Sequence, residues 1–141
     1  MKFWDTSAIV PLLVEENFSE RASELLLEDD VLVVWWGTSI ECISAISQLE
    51  RDGQISGKAA AGLVLRLQQL RDMWNEIQPS ALVKQHAERI LKLHPLRAQD
   101  AQQLAAAIVA NLDVTVEVIT FDEPLSLAAQ KEGLRVTVAR S

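Results

Sequence analysis

Four carboxylates stand where the chain changes from one kind of pattern to another: Asp5, Glu41, Asp100 and Asp122. Asp5 ends the apolar pair Phe3-Trp4, and Asp122 ends the run Val118-Ile119-Thr120-Phe121. Glu41 and Asp100 each fall in the first turn of a helical pattern. Divalent Mg²⁺ or Mn²⁺ takes hard oxygen ligands, and a few carboxylates with water and a substrate phosphate make a nuclease-type centre. Two such ions activate a water and stabilise a leaving oxygen. Ionised acids repel one another, so four of them brought together imply a cation.

Each acid also has a plainer reading. Asp5 could cap the helix behind it, and Asp122 the helix entered through Pro124. Thr38-x-x-Glu41 fits a capping box, in which Glu41 only satisfies a backbone donor. Asp100 near a helix start is favoured by the helix dipole alone. Caps are commoner than ligands, and the two roles coexist, so both readings stand at this level.

The elements that must position these acids follow from periodicity. Residues 2–4 read as a first strand. Ala8 to Glu15 reads as a mostly buried helix, with Pro11 tolerable only in its first turn. Asn17 is placed to cap a helix from Phe18 to Leu27. Residues 31–35 form a β-branched run typical of a buried strand. Thr38 to Arg51 reads as a helix carrying Ile40, Ile43, Ile46 and Leu49, stopped by Asp52-Gly53. Ser56 starts a helix through about Trp74, with Leu63, Leu67 and Leu70 on one side. Ala81 to His94 and Ala98 to Asn111 complete a middle, residues 38 to 112, that reads as wholly helical. Val114 to Phe121 is the clearest strand. A helix from Pro124 to Glu132 ends at Gly133, and Leu134 to Val138 is the last strand. Strands alternating with helices imply an α/β fold with a parallel sheet. Side chains that do chemistry in such sheets collect beyond the carboxyl ends of the strands.

Composition sets the outer limits. The chain has 141 residues, the size of one domain with a real core. No apolar run is long enough to span a bilayer, and the N-terminal residues do not read as a signal peptide, so a cytoplasmic protein is expected. One cysteine, Cys42, excludes an internal disulfide framework and a cysteine-based zinc site. The net charge of −7 argues against a general nucleic-acid binder. It leaves room for a site where bound cations invert the local field.

Four stretches carry a likeness to a known family. Phe3-Trp4-Asp5-Thr6-Ser7-Ala8 resembles the opening strand, acid and hydroxyl of the PIN-domain nucleases, and among them of the VapC-type toxins of toxin–antitoxin pairs. Ser39-Ile40-Glu41-Cys42-Ile43-Ser44-Ala45 is similar to the helix start that carries the family's second acid. Leu96-Arg97-Ala98-Gln99-Asp100-Ala101-Gln102-Gln103-Leu104-Ala105 resembles its most distinctive motif. Thr120-Phe121-Asp122, with Leu125, Ala128-Ala129 and Gly133-Leu134-Arg135-Val136, resembles its closing segment. The likeness covers the whole chain in order.

The resemblance implies a single PIN-like domain over residues 1–141, a three-layer α/β fold with a central, mostly parallel sheet flanked by helices. It implies a metal-dependent endoribonuclease using a metal-activated water. Asp5, Glu41, Asp100 and Asp122 would be catalytic and metal-holding, with Mg²⁺ or Mn²⁺ as cofactor. Ser7 and Thr120 would bond to the carboxylates or water from behind. Implied partners are an RNA substrate, a cognate antitoxin with Arg or Lys over the acids, and a second copy in a homodimer. Rival readings are a PIN-like protein acting mainly through its partner, and a Mg²⁺-dependent phospho-acceptor domain.

Other residues take smaller expectations. Arg51 and Arg97 are candidates for phosphate contacts at the mouth. His86 and His94, eight residues apart, suit surface or interface positions better than a ligand pair. Trp4, Trp35 and Trp74 suit the core, and Trp36 the core or a partner contact. Cys42 suits a small buried packing residue.

Overall fold

The architecture follows from short strands, of which the central β-branched run at residues 32–35 is buried on both faces. A computed structural model describes residues 1–137. Five strands form one sheet: β1 (Lys2–Trp4), β2 (Leu32–Trp35), β3 (Asn75–Ile77), β4 (Glu117–Ile119) and β5 (Arg135–Thr137). Their order is β3-β2-β1-β4-β5. Every pairing is parallel, so the expected mostly parallel sheet is wholly so among the described residues. All four residues of β2 are buried, as a strand covered on both faces requires.

Helices cover the two faces in separate sets. On one side lie α1 (Thr6–Leu13), α2 (Ser19–Glu28), α3 (Thr38–Arg51) and α4 (Gly57–Arg71), packed around Trp4, Leu32, Val34 and Ile119. On the other lie α5 (Ala81–Leu93), α6 (Ala98–Asp113) and α7 (Glu123–Lys131), packed around Phe3, Val33, Trp35 and Val118. Adjacent strand residues therefore feed opposite cores, Phe3 one and Trp4 the other, by the period of two of a strand. The chain winds outward through β2 and β3, then returns to β4 on the far side of β1. The β1/β4 junction is the switch point where such sheets place their sites. No described helix is long and apolar enough to cross a membrane.

Several expectations need correction. The middle is not wholly helical: Asn75–Ile77 forms edge strand β3 beside β2. Its three residues carry no alternating apolar signal, and only the partner strand defines it. The strand expected over Val114 to Phe121 shrinks to β4, because Asn111 Oδ1 accepts from Val116 N at 3.0 Å and holds the approach in a turn. The last strand ends its described part at Thr137, and Val138 lies outside the described residues.

Helix α1 starts two residues earlier than expected, at Thr6, so Pro11 falls inside it rather than in its first turn. The ring forfeits one bond to the Ser7 carbonyl, which this eight-residue helix bears while burying the ring in the core. Asn17 caps nothing, since α2 begins after Phe18 without a side-chain cap. In α3 the buried face is Thr38, Cys42 and Ile46, spaced by four. Ile40 is instead 60% exposed, and Ile43 also faces solvent, because three-residue steps drift around a 3.6-residue turn. Gly53 and Gly133 stop their helices as expected. Their φ values of 75° and 87° lie in the region that favours glycine.

Candidate active site

The acids gather at the carboxyl ends of β1, β2 and β4. Asp5 leaves β1 directly, and its backbone N–H donates to the Ile119 carbonyl of β4 at 3.2 Å. Its side chain makes no helix cap. It is 4% exposed, and burial is the main reason its carboxyl is pushed up to about 7. Ser7 Oγ donates to Asp5 Oδ1 at 2.7 Å and opposes that shift, as does the Thr120 hydroxyl. Ser7 Oγ also accepts from Phe121 N at 2.8 Å and lies 3.3 Å from Thr120 Oγ1. The two hydroxyls tie the turn after β1 to the turn after β4.

Glu41 is one turn into α3, after Gly37. A Cβ on Gly37 would meet Trp35 Nε1 at 2.7 Å, so the tight turn from β2 into α3 needs glycine. The capping-box reading fails: Thr38 lies inside the helix, and no side chain caps its start. Glu41 Oε2 instead accepts from Gln103 Nε2 at 3.0 Å. Burial raises the Glu41 carboxyl, while Gln103 and Thr6 pull it back.

Asp100 sits in the first turn of α6, where burial and the charge of Asp122 raise its carboxyl. Arg97, 84% exposed, approaches it at 3.8 Å, so one of the two basic candidates stands beside an acid. Arg51 is not there. It ends α3, ten residues beyond Glu41 and therefore about 15 Å along the axis. Two plain readings hold: Asp100 is an acid in the first turn of α6, where the helix dipole favours it, and Asp122 caps α7, accepting from Leu125 N at 3.1 Å.

The four acids share one field. Asp5 is raised by the charges of Asp122 and Glu41, Glu41 by Asp100, and Asp100 by Asp122. Among the described residues, Arg97 is the only cation paired with any of them. Cys42, buried beside them, has its thiol pushed up to about 12 by burial and by Glu41 and Asp5. It is a packing residue here, with no thiolate to offer.

The donor set suits a hard divalent cation: several carboxylate oxygens, repelling one another and held by neutral hydroxyl and amide donors. Among the described residues, no three His, Cys, Asp or Glu side chains close tightly enough to enclose an ion directly.

Gln103 is the site residue that periodicity misses. It is 2% exposed, and its Nε2 reaches Thr6 Oγ1 at 2.9 Å, Thr38 Oγ1 at 3.0 Å and Glu41. Three segments far apart in the chain are thereby joined. Its Oε1 is buried without a protein partner. The available signal was a glutamine in the middle of an otherwise alanine- and leucine-rich helix face. His94 is also more than a surface residue: with Arg89 it holds Glu132, at 2.7 and 2.9 Å, and joins α5 to α7 away from the acids.

Comparison with known proteins points the same way. A family model described as PIN domain matches residues 2–131. The chain is 29% identical to Ribonuclease VapC45 of Mycobacterium tuberculosis (strain CDC 1551 / Oshkosh), over 98% of this chain and 95% of that protein. Its fold matches FitAcB from Neisseria gonorrhoeae with a TM-score of 0.70 at 20% identity, covering 98% and 97% of the two chains. It matches the Mycobacterium tuberculosis VapC20, described as a sarcin-ricin loop cleaving toxin, with a TM-score of 0.66 at 18% identity, covering 91% and 95%.

Proposed function

The chain belongs to the PIN domain family, and from that premise we propose that it is the toxin of a toxin–antitoxin pair, a single-domain ribonuclease dependent on Mg²⁺ or Mn²⁺. The observation that carries this reading is that Asp5, Glu41 and Asp100 each have a carboxyl raised first by burial and also by another of four acids that all stand at element junctions. Such a cluster costs stability and repels a polyanion unless cations hold it. Its likeness to a named ribonuclease over nearly the whole chain supports RNA as substrate.

Asp5, Glu41, Asp100 and Asp122 would hold the ions. When bound, a divalent ion lowers the pKa of a water and stabilises charge on the phosphate oxygens. Ser7 fixes the rotamer of Asp5 by donating to its Oδ1, and Thr120 backs Ser7. Gln103 and Thr6 fix Glu41. Arg97 is free to reach outward to a phosphate, being exposed and only loosely paired. The toxin–antitoxin complex from Klebsiella pneumoniae, a fold neighbour, supports an antitoxin as partner. A segment bearing Arg or Lys would complement the acids and block substrate entry.

Purified chain, free of antitoxin, is expected to cut RNA with Mg²⁺ or Mn²⁺ and to stop in EDTA. Light scattering of this antitoxin-free chain is expected to give the mass of a homodimer, and addition of the antitoxin to stop the cutting. Undiminished cutting in EDTA would sink the proposal. Gln103→Leu keeps the bulk but leaves Glu41, Thr6 and Thr38 without their shared donor. It is expected to raise the metal concentration for half-maximal cleavage by roughly 10–100-fold, as loss of a ligand-orienting partner does. Excess metal should recover part of the rate. An unchanged metal titration would remove Gln103 from the site.

A further inference from the structure

Beside the acids, a cavity of about 400 Å³ opens between the turn preceding α2 and the outer face of α7. Phe18 and Phe121 line it together, their rings stacked with centroids 4.5 Å apart and planes 17° apart. Both rings are half-buried, so the pair is fixed by packing yet open on one side. Thr120 and Asp122 belong both to this cavity and to the acidic site. Ser126 and Gln130, one helical turn apart on α7, add a hydroxyl and an amide joined at 3.2 Å.

We propose that this cavity receives the base of a nucleotide flanking the scissile phosphate of single-stranded RNA. The proposal rests on the ribonuclease reading and names how that site selects its substrate. Because Thr120 and Asp122 are shared walls, a phosphodiester at the acids carries its neighbouring base to the cavity mouth. The volume is that of a small-molecule site. Aromatic faces hold unstacked RNA bases, and side-chain amides and hydroxyls read their edges. The two acids in its lining, Asp122 and Glu123, disfavour a phosphate there, which leaves the neutral base as the part that enters. A chain of net charge −7 also gains little general affinity from phosphates. Contacts to neutral bases must therefore supply a larger share of binding.

The test uses the cleavage-silent Asp5→Asn chain and short RNAs in which one abasic nucleotide is moved along the strand. One position next to the cut should weaken binding by about 5–100-fold, the range of a lost base stack. Asp5→Asn/Phe18→Leu, which keeps an apolar side chain and removes the stack, should bind intact and abasic RNA alike. Gln130→Ala, on an exposed residue, should change which base is preferred at that nucleotide in the active enzyme. Equal abasic sensitivity with and without Phe18 overturns the assignment, as does loss of antitoxin binding alone in Phe18→Leu. If Phe18→Leu fails to fold, an unchanged base preference in Gln130→Ala overturns it. RNA cleavage by the unaltered chain shows in each case that the ribonuclease reading survives. Its absence ends both.

Discussion

Asp5→Asn should cut RNA at least roughly 10³-fold more slowly, a loss of several kcal/mol of charge stabilisation, and yet be harder to unfold. The second effect follows from burial. The carboxyl is raised from its ordinary 3.8 to about 7, so the folded chain holds a proton that the unfolded chain has released. Between those two values the unfolded state binds fewer protons, and the stability of metal-free protein falls as pH rises. The fall begins near pH 4, ends near pH 7, and amounts to about 4 kcal/mol at most. Asparagine carries no charge to desolvate, and its carbonyl still accepts from Ser7. It buries new N–H donors, which returns about 1–3 kcal/mol of the gain. The net at pH 8 is a stabilisation of roughly 1–2 kcal/mol, or a few degrees in Tm. Thermal melts of both proteins in EDTA, from pH 4 to 8, measure it. Saturating Mg²⁺ should flatten the slope of the unaltered chain only. A parallel pH dependence in the variant would mean that another group carries it.

What could be foreseen in the chain follows a physical division. Strands at the sheet centre are apolar on both faces and announce themselves, as residues 31–35 and 2–4 do. An edge strand such as Asn75–Ile77 is set by the bond pattern of its neighbour, and its residues lack any strand signature. Helix existence was legible, but helix facing was less so: Ile40 and Ile43 look inward by three-residue steps and face outward in the fold. The acids were legible because carboxylates at element junctions are few. Their local alternatives could not be separated in the sequence, since a cap and a ligand use the same residue at the same place. Geometry separates them one by one. Asp5 and Glu41 cap nothing, while Asp122 does. Gln103 stayed hidden because its partners lie 62 to 97 residues away in the chain.

That distinction gives the second large effect. Asp100 and Asp122 face each other electrically, but only Asp122 holds up a helix. On the ion-holding reading, Asp100→Asn should lower cleavage by roughly 10³-fold with little change in stability, because relief from burial and from the charge of Asp122 is offset by the lost interaction of an acid with the start of α6. Asp122→Asn keeps the cap, since asparagine caps as well as aspartate. Any loss of activity in it therefore reports charge. Asp122→Ala loses both, at a cost of about 1 kcal/mol in stability. The sharper question is how the two asparagine variants compare. If both carboxylates hold ions equally, both variants fall equally. If Asp122 mainly shapes the α7 entrance, Asp122→Asn keeps most of its rate and Asp122→Ala loses rate in step with stability. Removing Asp122's charge also relieves Asp5 and Asp100, lowering both carboxyl pKa values. The pH at which cleavage rises should then move down in Asp122→Asn. A rate profile that stays in place would show that neither of those acids controls it.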